Sequence, residues 1–259
     1  MKLRVMTFNL RYDKPDLGDF AWKVRASAVA SLITTYAPDL IGTQEGKAHQ
    51  VLDLHRLLPD YQSVGSDRTG TGIDEYCAIF YRSARWQCLK SDDFFLSDAP
   101  DVAGSISENW GNLLPRMVSG AVLAAGENTV TIFNTHLDYQ SAKARDLSVR
   151  LICTRLGNLN LNQSHVLLTG DFNAAPGTLP RQLLQQSLPN HLLLHDALNN
   201  LDLEAQFSFH DFTAKAFDAV DTIYYDSRLS LQNVVVDTGR WQGILPSDHF
   251  PVVADFEVV

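Results

Sequence analysis

The sequence is poor in the features that would set it apart from ordinary globular proteins. It has only 3 Cys in 259 residues. Cys77, Cys88 and Cys153 are widely spaced among apolar neighbours, so neither a disulfide framework nor a zinc cluster is indicated and packing roles are expected. No run of about 18 apolar residues occurs, which argues against membrane insertion by a helix. The opening MKLRVMTFNL lacks the basic, apolar and small-residue regions of a signal peptide, and a cytoplasmic location is expected. Lysine is scarce, 7 against 14 scattered Arg, and the net charge is -9. Loose attraction to a polyphosphate backbone is therefore disfavoured. Repeats, low-complexity tracts and Pro- or Ser-rich linkers are absent too, so one domain over 1–259 is expected, with no obligate protein partner evident.

What is present is 45% apolar residues in short periodic segments. Leu3, Val5 and Phe8 open a strand, and Trp22, Ala26, Val29, Ile33 and Tyr36 follow at helical spacing after a candidate cap at Asp19. Strands are expected at 40–43, 77–81, 117–124, 129–135, 166–169, 219–225, 229–236 and 252–258. Helices are expected at 51–58 and 142–159, and 91–112 is expected as a long polar, Gly-rich stretch. Many strands with fewer helices suggest sheet packed on sheet with helices outside.

Short polar clusters sit directly after the apolar runs, where a layered fold can hold side chains rigidly while leaving them accessible. They are Asn9 in TFNLRYD, Glu45 in IGTQE, His136 and Asp138 in NTHLD, Asp171 and Asn173 in GDFN, and Asp248 and His249 in SDHFP. Taken singly, an Asn or Asp after a strand is turn chemistry and a lone His is a satisfied structural residue. Asp221 in AVDTIYY differs, because a carboxylate among apolar neighbours needs a cation or donor. An acid or amide at one strand end after another, with two histidines among them, exceeds what turns require. Such an oxygen-rich set without clustered Cys suits Mg2+ or Mn2+ better than zinc. No Gly-x-Ser-x-Gly elbow or P-loop is present, and Ser247, Asp248 and His249 are consecutive, so they cannot converge as a triad. A metal site with an adjacent general base, suited to attack of water on a phosphorus ester, is what remains.

In order, TFNLRYD, IGTQE, IFYR, PRMVSG, NTHLD, GDFN, VDTIYY and SDHFP span residues 7 to 251. As a set they resemble the endonuclease/exonuclease/phosphatase superfamily with the pancreatic deoxyribonuclease fold, in its branch related to carbon-catabolite-repressor and nocturnin-type exoribonucleases. The resemblance implies an α+β, four-layer α/β/β/α sandwich of two packed mixed sheets flanked by helices, with a site at one end of the sheets. It implies Glu45 as principal metal ligand with Asn9 beside it and Asp248 completing the region, and Asp171 and Asn173 orienting the attacking water. It pairs His249 with Asp221, makes His136 a donor to the phosphoryl oxygen, and assigns Arg116 and Tyr81 to phosphate contact. The implied activity is Mg2+- or Mn2+-dependent hydrolysis of a phosphodiester, a 3′-5′ exonuclease on RNA being its most specific version. The substrate would then be a phosphate ester, such as single-stranded nucleic acid or a nucleotide. A phosphomonoesterase on a small metabolite ranks next, and a non-catalytic phosphate-recognition module last, since no ligand or base is missing. No basic DNA-binding loop is evident between Glu45 and Tyr81, and the acidic charge favours a smaller substrate.

Overall fold

Alternating apolar residues build the strands, and their two faces meet different partners. The computed structural model describes residues 1–161 and 164–258. One six-stranded sheet has the order β13 (Leu229–Val236), β14 (Val252–Val258), β1 (Lys2–Asn9), β2 (Leu40–Gln44), β6 (Ile79–Arg82), β4 (Tyr61–Val64). The other has the order β11 (Leu194–Asp196), β12 (Asp221–Asp226), β10 (His165–Asp171), β9 (Asn128–His136), β8 (Met117–Ala125), β7 (Gln87–Phe95). Each sheet is mixed: β1 runs parallel to β2 and β9 parallel to β10, and the remaining pairs are antiparallel. A small ribbon joins β3 (Gly46–Lys47) to β5 (Glu75–Tyr76).

Helices α1 (Trp22–Tyr36) and α2 (Ala48–Leu57) bury Trp22, Val29, Ile33, Val51 and Leu54 against Met6, Phe8 and Ile41 on the outer face of the first sheet. Helices α3 (Ala142–Gly157) and α4 (Leu179–Leu184) bury Val149, Ile152 and Leu184 against Val118, Leu168 and Tyr224 of the second. Between the sheets lie Leu3, Val5, Leu40, Ile132, Leu167, Ile223 and Phe256. The result is the four-layer α+β sandwich.

Two local expectations differ. Asp19 does not cap α1. It lies in a short turn at Gly18–Phe20, and the helix starts after Ala21 without a side-chain cap. The segment 91–112 is not all loop, since residues 91–95 complete β7, an edge strand exposing Lys90, Ser91 and Asp92. Charged residues on an edge discourage pairing with another chain, which makes such a strand look like a loop in sequence.

Along the strands the layer between the sheets changes character at a constant period of two. Leu3 and Val5 give way to Thr7 and Asn9, Leu40 to Gly42 and Gln44, Val130 and Ile132 to Asn134 and His136, and Leu167 to Thr169 and Asp171. The intermediate polar tier is hydrogen-bonded across the sheets. Gln44 Nε2 donates to Asn134 Oδ1 (2.7 Å) and Thr7 Oγ1 (3.1 Å), and Asn134 Nδ2 to the carbonyls of Thr43 (2.7 Å) and Ala78 (3.1 Å). Gly42 is required there, because a Cβ would meet Thr169 Oγ1 at 2.0 Å and Asn134 Oδ1 at 2.6 Å.

Candidate active site

Strand register sets the site. In parallel pairing His136 lies opposite Asp171, and in antiparallel pairing Asp171 lies opposite Asp221, so three functional side chains stand abreast on the second sheet. From the first sheet come Asn9 at the end of β1 and Glu45 just past β2. Glu45 and Asn173 have left-handed backbones, φ 64° and 47°, which re-aim their side chains after the strands. Strain of this kind gathers where geometry serves a site.

Asn9 Nδ2 donates to Glu45 Oε1 (3.0 Å) and Asp171 Oδ2 (2.9 Å), tying the two carboxylates together across the sheets. Its Oδ1 accepts the Arg11 amide (3.0 Å), and Glu45 Oε2 accepts the Tyr12 amide (3.1 Å). His249 Nδ1 contacts Asp221 Oδ2 at 2.8 Å, and its Nε2 is 3.9 Å from Asp171 Oδ2. His136 Nε2 is 3.6 Å from the same oxygen. Asn173 accompanies Asp171, its amide donating to Asp171 Oδ1 (2.9 Å) and its side chain to Leu137 O (2.9 Å). Asp248 is buried next to Arg11, 3.3 Å away. Glu45, His136, Asp171, Asn173, Asp248 and His249 border an open cleft of about 710 Å3.

The two histidines of the cleft are driven in opposite directions. His136, buried and facing Arg116 and His249, is pushed well below its ordinary value and is neutral. Burial also opposes charge on His249, but Asp221, Asp171 and Asp248 outweigh it and raise it to about 10, so it holds its proton. Burial and the charge of Asp221 push the Asp171 carboxyl up to about 7. Burial, with Glu45 near, also raises Asp248.

The donor set fits a hard divalent cation. Glu45, His136 and Asp171 each offer a ligand atom within 4.8 Å of the others, and a cation there would relieve the burial of Asp171. Asn9 is brought to Glu45 as the sequence suggests, but it presents its amide nitrogen to the carboxylates while its oxygen accepts from Arg11. That arrangement suits orienting the ligands rather than being one.

Arg116 lines the cleft, with Asp138 Oδ2 3.5 Å from its Nε. Tyr81 is not brought to the cleft. Because β6 runs antiparallel to β2, Tyr81 pairs with Leu40, at the far end of β2 from Glu45, and its ring packs in the core while its hydroxyl donates to Oε1 of exposed Gln62 (3.0 Å). Asp13 lies off the cluster, its Oδ2 2.9 Å from His49 Nε2 and its carbonyl accepting from Lys47 Nζ (3.0 Å). Trp22 and Trp110 are buried packing residues whose indole N–H groups donate to Asp53 and Asp98. The three cysteines are free.

Other cleft residues escape sequence reasoning. Arg68 and Asp74 enter from the Gly-rich loop before β5 and Glu75 from the first position of β5, with Arg68 Nη1 2.7 Å from Glu75 Oε2 and Nη2 3.1 Å from Asp74 Oδ1. Burial and Glu45 raise the Glu75 carboxyl to about 7. Buried Asp67 orders this loop by accepting the amides of Gly72 (3.0 Å) and Asp74 (2.9 Å). Tyr12, Leu114, Tyr139 and Phe209 supply the apolar walls. Arg25, buried in α1, donates to the carbonyls of Leu10 (2.8 Å), Pro246 (2.9 Å) and Arg11 (3.1 Å), joining the loops that carry Arg11 and Asp248. An arginine at helical spacing reads as solvated, and nothing in the sequence marks it otherwise.

Among curated proteins none matches the chain by sequence. An endonuclease/exonuclease/phosphatase family protein from Bacteroides vulgatus superposes with a TM-score of 0.89 at 26% identity over 100% of both chains. The mannosyl-6-phosphatase Bt3783 of Bacteroides thetaiotaomicron does so with a TM-score of 0.87 at 27% identity, over 98% of this chain and 99% of its own. The catalytic domain of human nocturnin shares the fold, with a TM-score of 0.78 at 20% identity over 100% of this chain and 95% of its own. The profile of the Endonuclease/Exonuclease/phosphatase family matches residues 6–249, and the chain belongs to that family.

Proposed function

We propose that the protein is a divalent-metal-dependent phosphoesterase that hydrolyses a phosphate ester by in-line attack of water. The observation that carries this reading is the meeting of Glu45, His136 and Asp171 with the His249–Asp221 pair in one open cleft. Glu45 and Asp171, with His136 in reach, would hold Mg2+ or Mn2+, oriented by Asn9. When bound, the ion polarises the phosphoryl oxygen and offsets charge on the ester. Asp171, with Asn173 beside it, would orient the attacking water and receive its proton. His249, kept protonated by Asp221, faces charge developing on the phosphoryl group or leaving oxygen, and neutral His136 donates a hydrogen bond to it. Arg116 and Arg68 bind the ester's remaining oxygens.

For substrate, a small phosphomonoester rich in hydroxyls moves ahead of a polynucleotide. Asp74, Glu75 and Asp218 also line the cleft, where they accept hydrogen bonds from hydroxyls and repel a second phosphate. The likeness to a mannosyl-6-phosphatase over nearly the whole chain supports this. The phosphodiesterase reading, with 3′-5′ exonuclease action on RNA, is favoured by one feature: Tyr139, largely exposed, lies 5.9 Å from the Arg116 guanidinium and offers a face for a base. The test is hydrolysis of p-nitrophenyl phosphate and bis-p-nitrophenyl phosphate with Mg2+, Mn2+ or EDTA, with Glu45→Ala as control. Sugar phosphates and short RNA follow. Metal-dependent cleavage of the monoester and of sugar phosphates is expected. Cleavage of the diester alone would favour the exonuclease, and turnover that survives EDTA and Glu45→Ala would overturn the whole reading.

A further inference from the structure

The members of the His249–Asp221 pair belong to different sheets, since Asp221 opens β12 and His249 precedes β14. A segment from neither strand joins them. Residues 208–210 run antiparallel to 248–250, with His210 N donating to Asp248 O (2.9 Å) and Phe250 N to Ser208 O (2.8 Å). The Phe209 ring lies 4.9 Å from the His249 ring, and His210 stacks on Phe250 at 4.0 Å. On the other side, Ser208 Oγ accepts the amides of Val220 (3.4 Å) and Asp221 (3.2 Å). Ser208 is fully buried.

Strand pairing makes this contact necessary. β10 reaches Asp221 on one side of β12, but β11 covers the other side only from Tyr224 onward, so the Asp221 amide lies beyond β11 and, being buried, requires an acceptor. Asp221 Oδ2 is engaged with His249, while Asp221 Oδ1 is buried without a hydrogen-bond partner among the described residues. A carboxylate lacking a second donor depends on its backbone for its aim.

We propose that Ser208 is a positioning residue. Its hydroxyl oxygen fixes the Asp221 backbone while its carbonyl holds Phe250, and together they set the approach of Asp221 to His249. The proposal rests on the reading of that pair as proton-handling machinery. It is tested with Ser208→Ala, with Ser208→Cys, which keeps the volume but weakens the acceptor, and with Ser208→Thr, which keeps the hydroxyl. Two readouts are used: steady-state kinetics with a pH profile on whichever p-nitrophenyl ester the wild type cleaves, and the Nδ1–H resonance of His249 in metal-free, 15N-histidine-labelled protein. Ser208→Ala is expected to lower kcat by about 10–100-fold and hold KM within roughly twofold. It should also shift the pH profile and broaden or abolish the His249 resonance, with Ser208→Cys falling between and Ser208→Thr restoring both readouts. A role in stability alone would lower Tm yet leave kcat per folded molecule, pH profile and resonance at wild-type values, and that outcome in Ser208→Ala or Ser208→Cys overturns the proposal. If the wild type cleaves no p-nitrophenyl ester, sugar phosphate or RNA, the phosphoesterase reading fails, while the resonance still decides whether Ser208 holds the pair.

Discussion

The two ends of the layer between the sheets are built on the same strands with the same period, yet they answer to different demands. At one end Leu3, Val5, Leu40, Ile132, Leu167 and Ile223 meet as a dry apolar pack. At the other, Asn9, Glu45, His136, Asp171 and Asp221 crowd three carboxylates into a small space, with the Asp171 carboxyl lifted to about 7 and Asp221 Oδ1 unpartnered among the described residues. Burial stabilises the first end and penalises the second. A domain tolerates the penalty because the apolar end exceeds it, the usual relation between a scaffold and a site held under electrostatic strain.

Mutations can test that division. The largest effect is expected for His249→Ala, which should lower turnover by about 10^2–10^4-fold and lower Tm as well, because it leaves Asp221 buried without a partner. Asp171→Asn should likewise remove activity yet raise the Tm of the metal-free protein, because it removes a buried acid facing Asp221. A fall in Tm there would contradict the assignment of strain to this end. Leu167→Ala, at the apolar end, is expected to cost about 2–5 kcal/mol of stability in denaturant unfolding with KM unchanged. Gly42→Ala probes the boundary, where the new methyl must push Thr169 and Asn134 apart. It should cost about 1–3 kcal/mol and lower kcat as well, because the tier it disturbs lies beneath the cleft. The smallest effect concerns His210, buried with neither ring nitrogen partnered among the described residues and held down to about 4, mainly by burial. Since the unfolded chain takes up the proton near 6.5, stability is full above that pH and falls towards pH 4 by up to about 1.4 kcal/mol per unit. His210→Phe, which keeps the stack on Phe250, should flatten this acid limb in pH-dependent melting.

How far the site is legible in the sequence follows from the same division. The period of two places polar clusters at the ends of apolar runs, so Asn9, Glu45, His136 and Asp171 stand out from the amino-acid order alone, and Asp221 stands out as a carboxylate among apolar neighbours. Strand direction is not written in a motif, and a motif therefore points Tyr81 to the cleft although β6 runs opposite to β2 and carries it away. Arg68 and Glu75 are hidden because a Gly-rich loop has no period to read, and its shape depends on hydrogen bonds to Asp67. The polar tier of Thr7, Gln44, Asn134 and Thr169 is invisible because its residues sit on four strands and are joined between the sheets through Gln44 and Asn134. Part of the edge strand β7 passes for loop because charge on an edge looks like charge on a loop.

The order in which strands enter the first sheet also bears on how the protein is made. β1 pairs on one side with β2, which follows it closely, but on the other side with β14, and the Met1 amine donates to the carbonyl of Val258 across 257 positions. During synthesis β1 therefore waits, with one edge open, until β14 has left the ribosome. Asp248 and His249 immediately precede that final strand, so the cleft gains its proton-holding histidine in the same step that closes the sheet. An unfinished chain carries Glu45 and Asp171 but no His249. Under the proposed function, activity therefore begins only once β14 has entered the sheet.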